Sequence, residues 1–166
     1  MKEVVMNEAF TDRDSVETAP RAFTYDRPQL ERERHVVMLA QTDRMMAAVQ
    51  VLKSGGENNL HSHTNLDGFW MVLKGRVRFY GDGDALLGEF GPYSGILIPR
   101  GSRYWFESCS DEPLELLQVE AFNVPLRNMK SVFADRVNFT PVTSATRNAK
   151  VHDGREPSTD PAQKPA

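Results

Sequence analysis

The sequence predicts an all-β domain, a small sandwich or barrel of short strands, on three observations. Apolar runs of strand length recur between residues 35 and 122: HVVMLA, MMAAVQVL, GFWMVL, RVRFY, ALLGEF, GILI, YWFES and LELLQVEAF. Turn-forming residues separate them, among them Gly81-Asp82-Gly83-Asp84, Gly91-Pro92, Pro99-Arg100-Gly101 and Asp111-Glu112-Pro113. RVRFY alternates strictly, with Val77 and Phe79 on one face and Arg76 and Arg78 on the other, the period of a strand half in a core and half in water. Many short strands at turn-bounded spacing build sandwiches or barrels rather than alternating β–α units. Gly81-Asp82-Gly83-Asp84 between RVRFY and ALLGEF predicts a hairpin, because Asp-Gly tolerates the positive φ of a tight turn.

The flanks differ from this centre. Residues 1–34 are polar, dense in charge between Asp26 and Arg34, and read as an N-terminal arm leading into a barrel over residues 35–125. Residues 126–139 are expected to hold a short helix or an extended segment. Residues 140–166 contain no aromatic residue and include Pro141, Pro157, Pro161 and Pro165. Such a segment buries too little apolar surface to offset its ordering entropy, and a flexible tail is expected.

The totals exclude several classes of function. A chain of 166 residues is expected to form one domain with one core. With 20 Lys and Arg against 23 Asp and Glu, no basic face for nucleic acid is expected. Cys109 is the only cysteine, which rules out an intrachain disulfide and a cysteine-rich zinc module. The opening MKEVVMNEAFTDRD carries acidic residues where a signal peptide would carry its apolar stretch, and no apolar run nears the roughly 20 residues that span a bilayer. A cytoplasmic protein with no membrane partner is expected.

The chemistry centres on His61 and His63. Alternate residues of a strand share a face, so both imidazoles point the same way from Cα atoms about 6–7 Å apart, close enough to grip one ion. The run Gly55-x5-His61-x-His63, followed after eleven residues by Gly75, resembles the first motif of the cupin superfamily. GILIPRGSRYWFES, with its Pro99-x-Gly101 turn, is similar to the second. The resemblance covers residues 55–122 and implies a cupin double-stranded β-helix, a jelly-roll barrel, with a pocket inside and frequent homodimerisation.

The resemblance also implies a metal set of two histidines, a carboxylate and a third histidine. In this chain the carboxylate position falls on Gly68, with Asp67 just before it, and the third histidine position falls on Tyr104. Three repairs are open: Asp67 turning inward, Tyr104 ligating as phenolate once its proton is removed, or water completing the shell. Each also has a plainer reading, Asp67 as turn chemistry and Tyr104 as a core aromatic. Trp70, Phe79, Phe106 and Gln118 are expected to line the pocket, with Tyr104 beside them. In LELLQVEAF, Gln118 and Glu120 share a face with Leu114, Leu116 and Phe122, and that face is either the lumen or solvent; Leu117, Val119 and Ala121 opposite weigh toward solvent for Gln118.

The function expected is that of a small-molecule-binding cupin, a metal-dependent enzyme of oxygenase or isomerase type. His61 and His63 would anchor a divalent transition metal (Fe, Mn, Ni or Zn), Tyr104 or Asp67 and water would complete the shell, an open position would take substrate or O2, and Tyr104 is the expected catalytic residue. The alternative is a non-catalytic ligand-binding or sensing module that has lost the full metal site. A metal-free enzyme using His61 or His63 as general base ranks last, since no sugar-nucleotide signal accompanies it.

Overall fold

Strand alternation decides what this chain buries. In β4 (Leu66–Lys74) Leu66, Gly68, Trp70 and Val72 are buried, and the residues between them are half-buried or exposed. In β9 (Leu114–Phe122) Leu114, Leu116, Gln118, Glu120 and Phe122 are buried. β5 (Val77–Tyr80) turns Val77 and Phe79 fully inward, as its alternation requires. These faces come together in a computed structural model that describes residues 17, 19–54, 57–126 and 134–154.

The fold is a double-stranded β-helix built from two facing layers. One layer is a six-stranded sheet in the order β11-β1-β2-β9-β4-β7, with β1 (Arg34–Gln41), β2 (Met45–Leu52), β7 (Gly95–Ile98) and β11 (Lys150–Asp153). The other holds β3 (His61–His63) paired with β10 (Arg136–Asn138), and β5 between β6 (Leu86–Phe90) and β8 (Trp105–Ser108). Among the described residues the strands form three separate sheets rather than one closed barrel. The expected hairpin joins β5 to β6 through a 3-10 turn at Asp82–Asp84, where Gly83 adopts φ +61°. The Pro99-x-Gly101 turn is also present: Gly101 sits at φ +82° and donates its N–H to the His63 carbonyl at 2.7 Å.

The interior divides along its length. At one end Trp70, Phe79, Tyr104 and Phe106 pack ring to ring with Leu52, Val72, Val77, Leu114 and Leu116. At the other lie Val36, Met38, Met46, Ala48, Leu66 and Phe122. The polar lumen occupies the space between the two apolar ends. Outside the large sheet a third cluster forms, where Tyr25 and Leu30 of the arm cover Val37, Leu39, Val49, Val51, Leu117 and Val119. That cover makes the sheet apolar on both faces.

The expected flexible tail is corrected over its first half. Thr143 caps α1 (Ser144–Arg147), its hydroxyl accepting from the Thr146 N–H, and Ala145 and Ala149 are buried. β11 then pairs parallel to β1, with Lys150 beside His35 and His152 beside Val37. The apolar content of this stretch is low, but an edge of β1 stands ready to take its backbone hydrogen bonds. Residues 155–166 lie outside the described residues, as do 1–16, 18 and 127–133. Within the expected helix-or-extended segment, residues 136–138 are extended as β10. Among the described residues no helix is long and apolar enough to cross a membrane.

Candidate functional site

The two histidines of β3 are nearly sealed, His61 at 1% and His63 at 5% exposure. Their rings meet edge to face with centroids 5.1 Å apart. Each is oriented from behind. His61 Nδ1 donates to the Asn59 carbonyl at 2.6 Å, and His63 Nδ1 donates to Asp135 Oδ1 at 3.2 Å. Asp135 also accepts from the Asn65 N–H through Oδ2 at 2.8 Å, so it is fixed independently of the histidine. With Nδ1 committed, neutral His61 carries its lone pair on Nε2. Burial, and then the charge of Arg136, pushes the His61 imidazole down to about 2, so it is neutral across the physiological range.

The other expected ligands do not join them. Asp67 lies on the opposite face of β4 from Gly68, and its carboxylate accepts from the Arg100 backbone N–H at 2.9 Å and the Arg100 guanidinium at 3.4 Å. Asp67 is therefore the fastener of the Pro99–Gly101 turn and not a lumen ligand. The carboxylate position carries no side chain and is crowded: a Cβ built on Gly68 would stand 3.0 Å from Trp70 Nε1. Tyr104 does face the lumen, ring against ring with His61 at 4.5 Å, and exchanges two backbone hydrogen bonds with it. Burial, and then the charge of Glu120, holds its phenol far above the ordinary tyrosine value. Among the described residues no three His, Cys, Asp or Glu side chains are grouped to hold a metal ion. His61 and His63 present their rings toward one another, but no third His, Cys, Asp or Glu among the described residues is grouped with them to hold an ion.

The lumen instead carries arginine. Its cavity has about 40 Å³ of free volume and is lined by Arg34, Gln50, Gln118, Glu120 and Arg136 along with both histidines, Trp70 and Tyr104. Gln118 thus faces the lumen, settling the open alternative of the sequence against solvent. Phe79 and Phe106, expected on the pocket wall, are fully buried in the aromatic end and do not line this cavity.

A hydrogen-bonded chain crosses three strands of the large sheet. Arg34 Nη2 donates to Gln50 Oε1, Gln50 Nε2 donates to Gln118 Oε1 at 2.6 Å, and Gln118 Nε2 donates to Glu120 Oε1. A cation that only donates at one end and a carboxylate at the other give the two amides one consistent orientation. Glu120 is 1% exposed, burial raises its carboxyl above the usual range, and its Oε2 has no hydrogen-bond partner among the described residues. Arg34 is 6% exposed, lies over the Phe106 ring at 5.4 Å and donates to Thr146 Oγ1 at 3.3 Å. Burial lowers its guanidinium to about 9, with the charge of Arg136 second, so it stays charged at neutral pH.

Sequence reasoning passed over Arg34, Gln50, Glu120 and Arg136 as a set. One signal was available. Gln50 interrupts MMAAVQVL on the same face as Met46, Ala48 and Leu52, and a polar residue on a core face needs a polar partner. Arg34 and Arg136 carry no such mark, since each sits at a strand end in a polar neighbourhood.

Comparison with known proteins agrees with this architecture. Residues 48–120 match the family model described as "Cupin domain". An rmlC-like cupin protein from Desulfovibrio desulfuricans is similar in structure, with TM-score 0.50 and 19% identity over 61% of this chain and 97% of that one. A conserved double-stranded β-helix protein from Klebsiella pneumoniae gives TM-score 0.52 and 18% identity over 66% and 100%. The Cnp3 cupin domain of Schizosaccharomyces pombe gives TM-score 0.50 and 16% identity over 57% and 69%. At these identities the likeness shows the fold alone. No curated protein matches the sequence.

Proposed function

We propose, for a chain that belongs to the cupin superfamily through residues 48–120, that it is a small-molecule-binding cupin whose ligand is held by the protein's own side chains rather than by a metal. One observation carries this reading. The position next to Asp67 that would project a carboxylate into the lumen is Gly68, where a Cβ would press on the Trp70 indole at 3.0 Å. His61 and His63 are left as polar contacts for a ligand, with Tyr104, Gln118 and Trp70 around them.

The small free volume fits a compact organic molecule and not a cofactor-sized one. The metal-dependent oxygenase or isomerase expected from the resemblance would require a third donor, which the described residues do not supply. The test is calorimetric screening of small metabolites against protein treated with chelator and checked for metal content. Binding that survives chelation is expected. Binding that appears only after Fe, Mn, Ni or Zn is restored, and vanishes in His61→Ala/His63→Ala, would return the protein to the metal-dependent class.

A further inference from the structure

Arg34 is a buried cation with no ion-pair partner among the described residues. Its two hydrogen bonds go to neutral oxygens, Gln50 Oε1 and Thr146 Oγ1, and use two of the five N–H groups a guanidinium carries. Among the described residues it makes no ion pair. Arg136, half-buried on the facing layer, donates to Asn138 Oδ1 at 3.0 Å and Asn59 Oδ1 at 2.6 Å and has no ion pair among the described residues, the Glu120 and Asp135 carboxylates acting on its charge from farther off. Both line one cavity. Taking a charge out of water is costly unless a counter-charge meets it, and two like charges at one cavity compound that cost. Arginine cannot escape by losing its proton. A bound anion relieves both.

The same cavity holds acceptors as well. With Nδ1 donating to Asn59, His61 Nε2 is left as an acceptor, and it makes no hydrogen bond among the described residues; Glu120 Oε2 is buried without a partner among them. An anion alone would leave these two lone pairs unmet, whereas a ligand that also carries a hydroxyl would satisfy one of them. The free volume of about 40 Å³ compares with roughly 10–15 Å³ for one water on the same measure. There is room for a handful of non-hydrogen atoms, flanked by the apolar Val36, Met38 and Met46.

We infer that the lumen binds a small hydroxy acid, its carboxylate on Arg34 and Arg136 and its hydroxyl donating to His61 Nε2. This deepens the small-molecule reading above and rests on it. Planar guanidinium suits a planar carboxylate, which it can meet with two parallel hydrogen bonds.

The experiment titrates chelator-treated full-length protein with glycolate, acetate, inorganic phosphate and the neutral analogue ethylene glycol. Glycolate is expected to bind at least fivefold more tightly than acetate or phosphate, with no saturable binding of ethylene glycol. Gln50→Glu supplies Arg34 with an internal carboxylate at the loss of the bond to Gln118 Oε1, and, once its thermal unfolding transition is confirmed, is expected to weaken glycolate at least tenfold; Arg34→Met is expected to do the same. Tighter binding of phosphate than of glycolate, equal binding of acetate and glycolate, or unchanged glycolate binding in Gln50→Glu each overturns the inference. If neutral metabolites bind while these anions do not, the inference fails and the small-molecule reading stands. If nothing binds without metal, both fail.

Discussion

Trp70 Nε1 stands 3.0 Å from the point where a side chain on Gly68 would begin, and that indole N–H is itself buried without a partner among the described residues. The two residues lie on the same inward face of β4, so they compete for one volume. A glutamate at Gly68 would have to displace the indole from its contacts with Phe79 and Phe106, at 5.9 and 5.2 Å between ring centroids. Gly68→Glu is therefore expected to destabilise the protein by about 2–4 kcal/mol, the range for overpacking plus a buried charge. Urea unfolding measures it. A variant as stable as the parent would show that the lumen has room for a carboxylate there.

Asp67 points the other way, and its removal should be felt outside the lumen. Asp67→Ala deletes the contacts to the Arg100 backbone and side chain at a half-exposed site. A loss of about 0.5–1.5 kcal/mol is expected, with ligand affinity unchanged. Calorimetry of the variant against the parent's ligand decides it, and a tenfold drop in affinity would put Asp67 back in the site.

The parts of this fold legible in the sequence are those written in local alternation. His61 and His63 on one face, Val77 and Phe79 inward, Trp70 inward and the Gly101 turn all follow from period two and from residues that favour special backbone angles. Gln118 was ambiguous for a physical reason. Leu117 and Val119 opposite it are covered by Tyr25 and Leu30 of the arm, so both faces of β9 are largely apolar and alternation loses its sign. The pairing of His152 with His35 spans 117 residues and leaves no local pattern. The counterpart of Gln50 was equally hidden, since Arg34 reaches it from another strand.

The chain from Arg34 to Glu120 predicts coupling between its middle members. Gln50→Leu leaves Arg34 and Gln118 each short of a partner, and Gln118→Leu leaves Gln50 and Glu120 short. Each is expected to cost about 1–3 kcal/mol. The double variant removes the shared bond only once, so its cost should fall below the sum of the singles by about 1 kcal/mol or more. A double-mutant cycle by denaturant unfolding reads this directly, and strict additivity would mean the two amides are not joined in solution.

His35 and His152 make the fold sensitive to acid. Their rings stack at 5.2 Å, with His35 Nδ1 2.9 Å from His152 Nε2. The Arg32 N–H donates to His35 Nε2 at 3.1 Å, so His35 is protonated on Nδ1 and donates that proton to His152. A proton added at either Nε2 would meet a donor already there. Burial is the leading cause that lowers both imidazoles; for His35 the charges of His152 and Lys150 follow, for His152 that of Lys150, and Glu31 opposes in each case. The unfolded chain then takes up protons at a higher pH than the folded one. Stability is full above about 6.5, the unfolded histidine value, and falls as pH drops below it toward the depressed folded values. His61, held neutral by burial and Arg136, adds to the same slope. His152→Asn is expected to flatten the decline of melting temperature between about pH 6.5 and 5 relative to the parent. Since the histidine pair joins β11 to β1, the protection factors of β11 amides, corrected for the intrinsic pH dependence of exchange, should fall over that same interval in the parent and not in the variant.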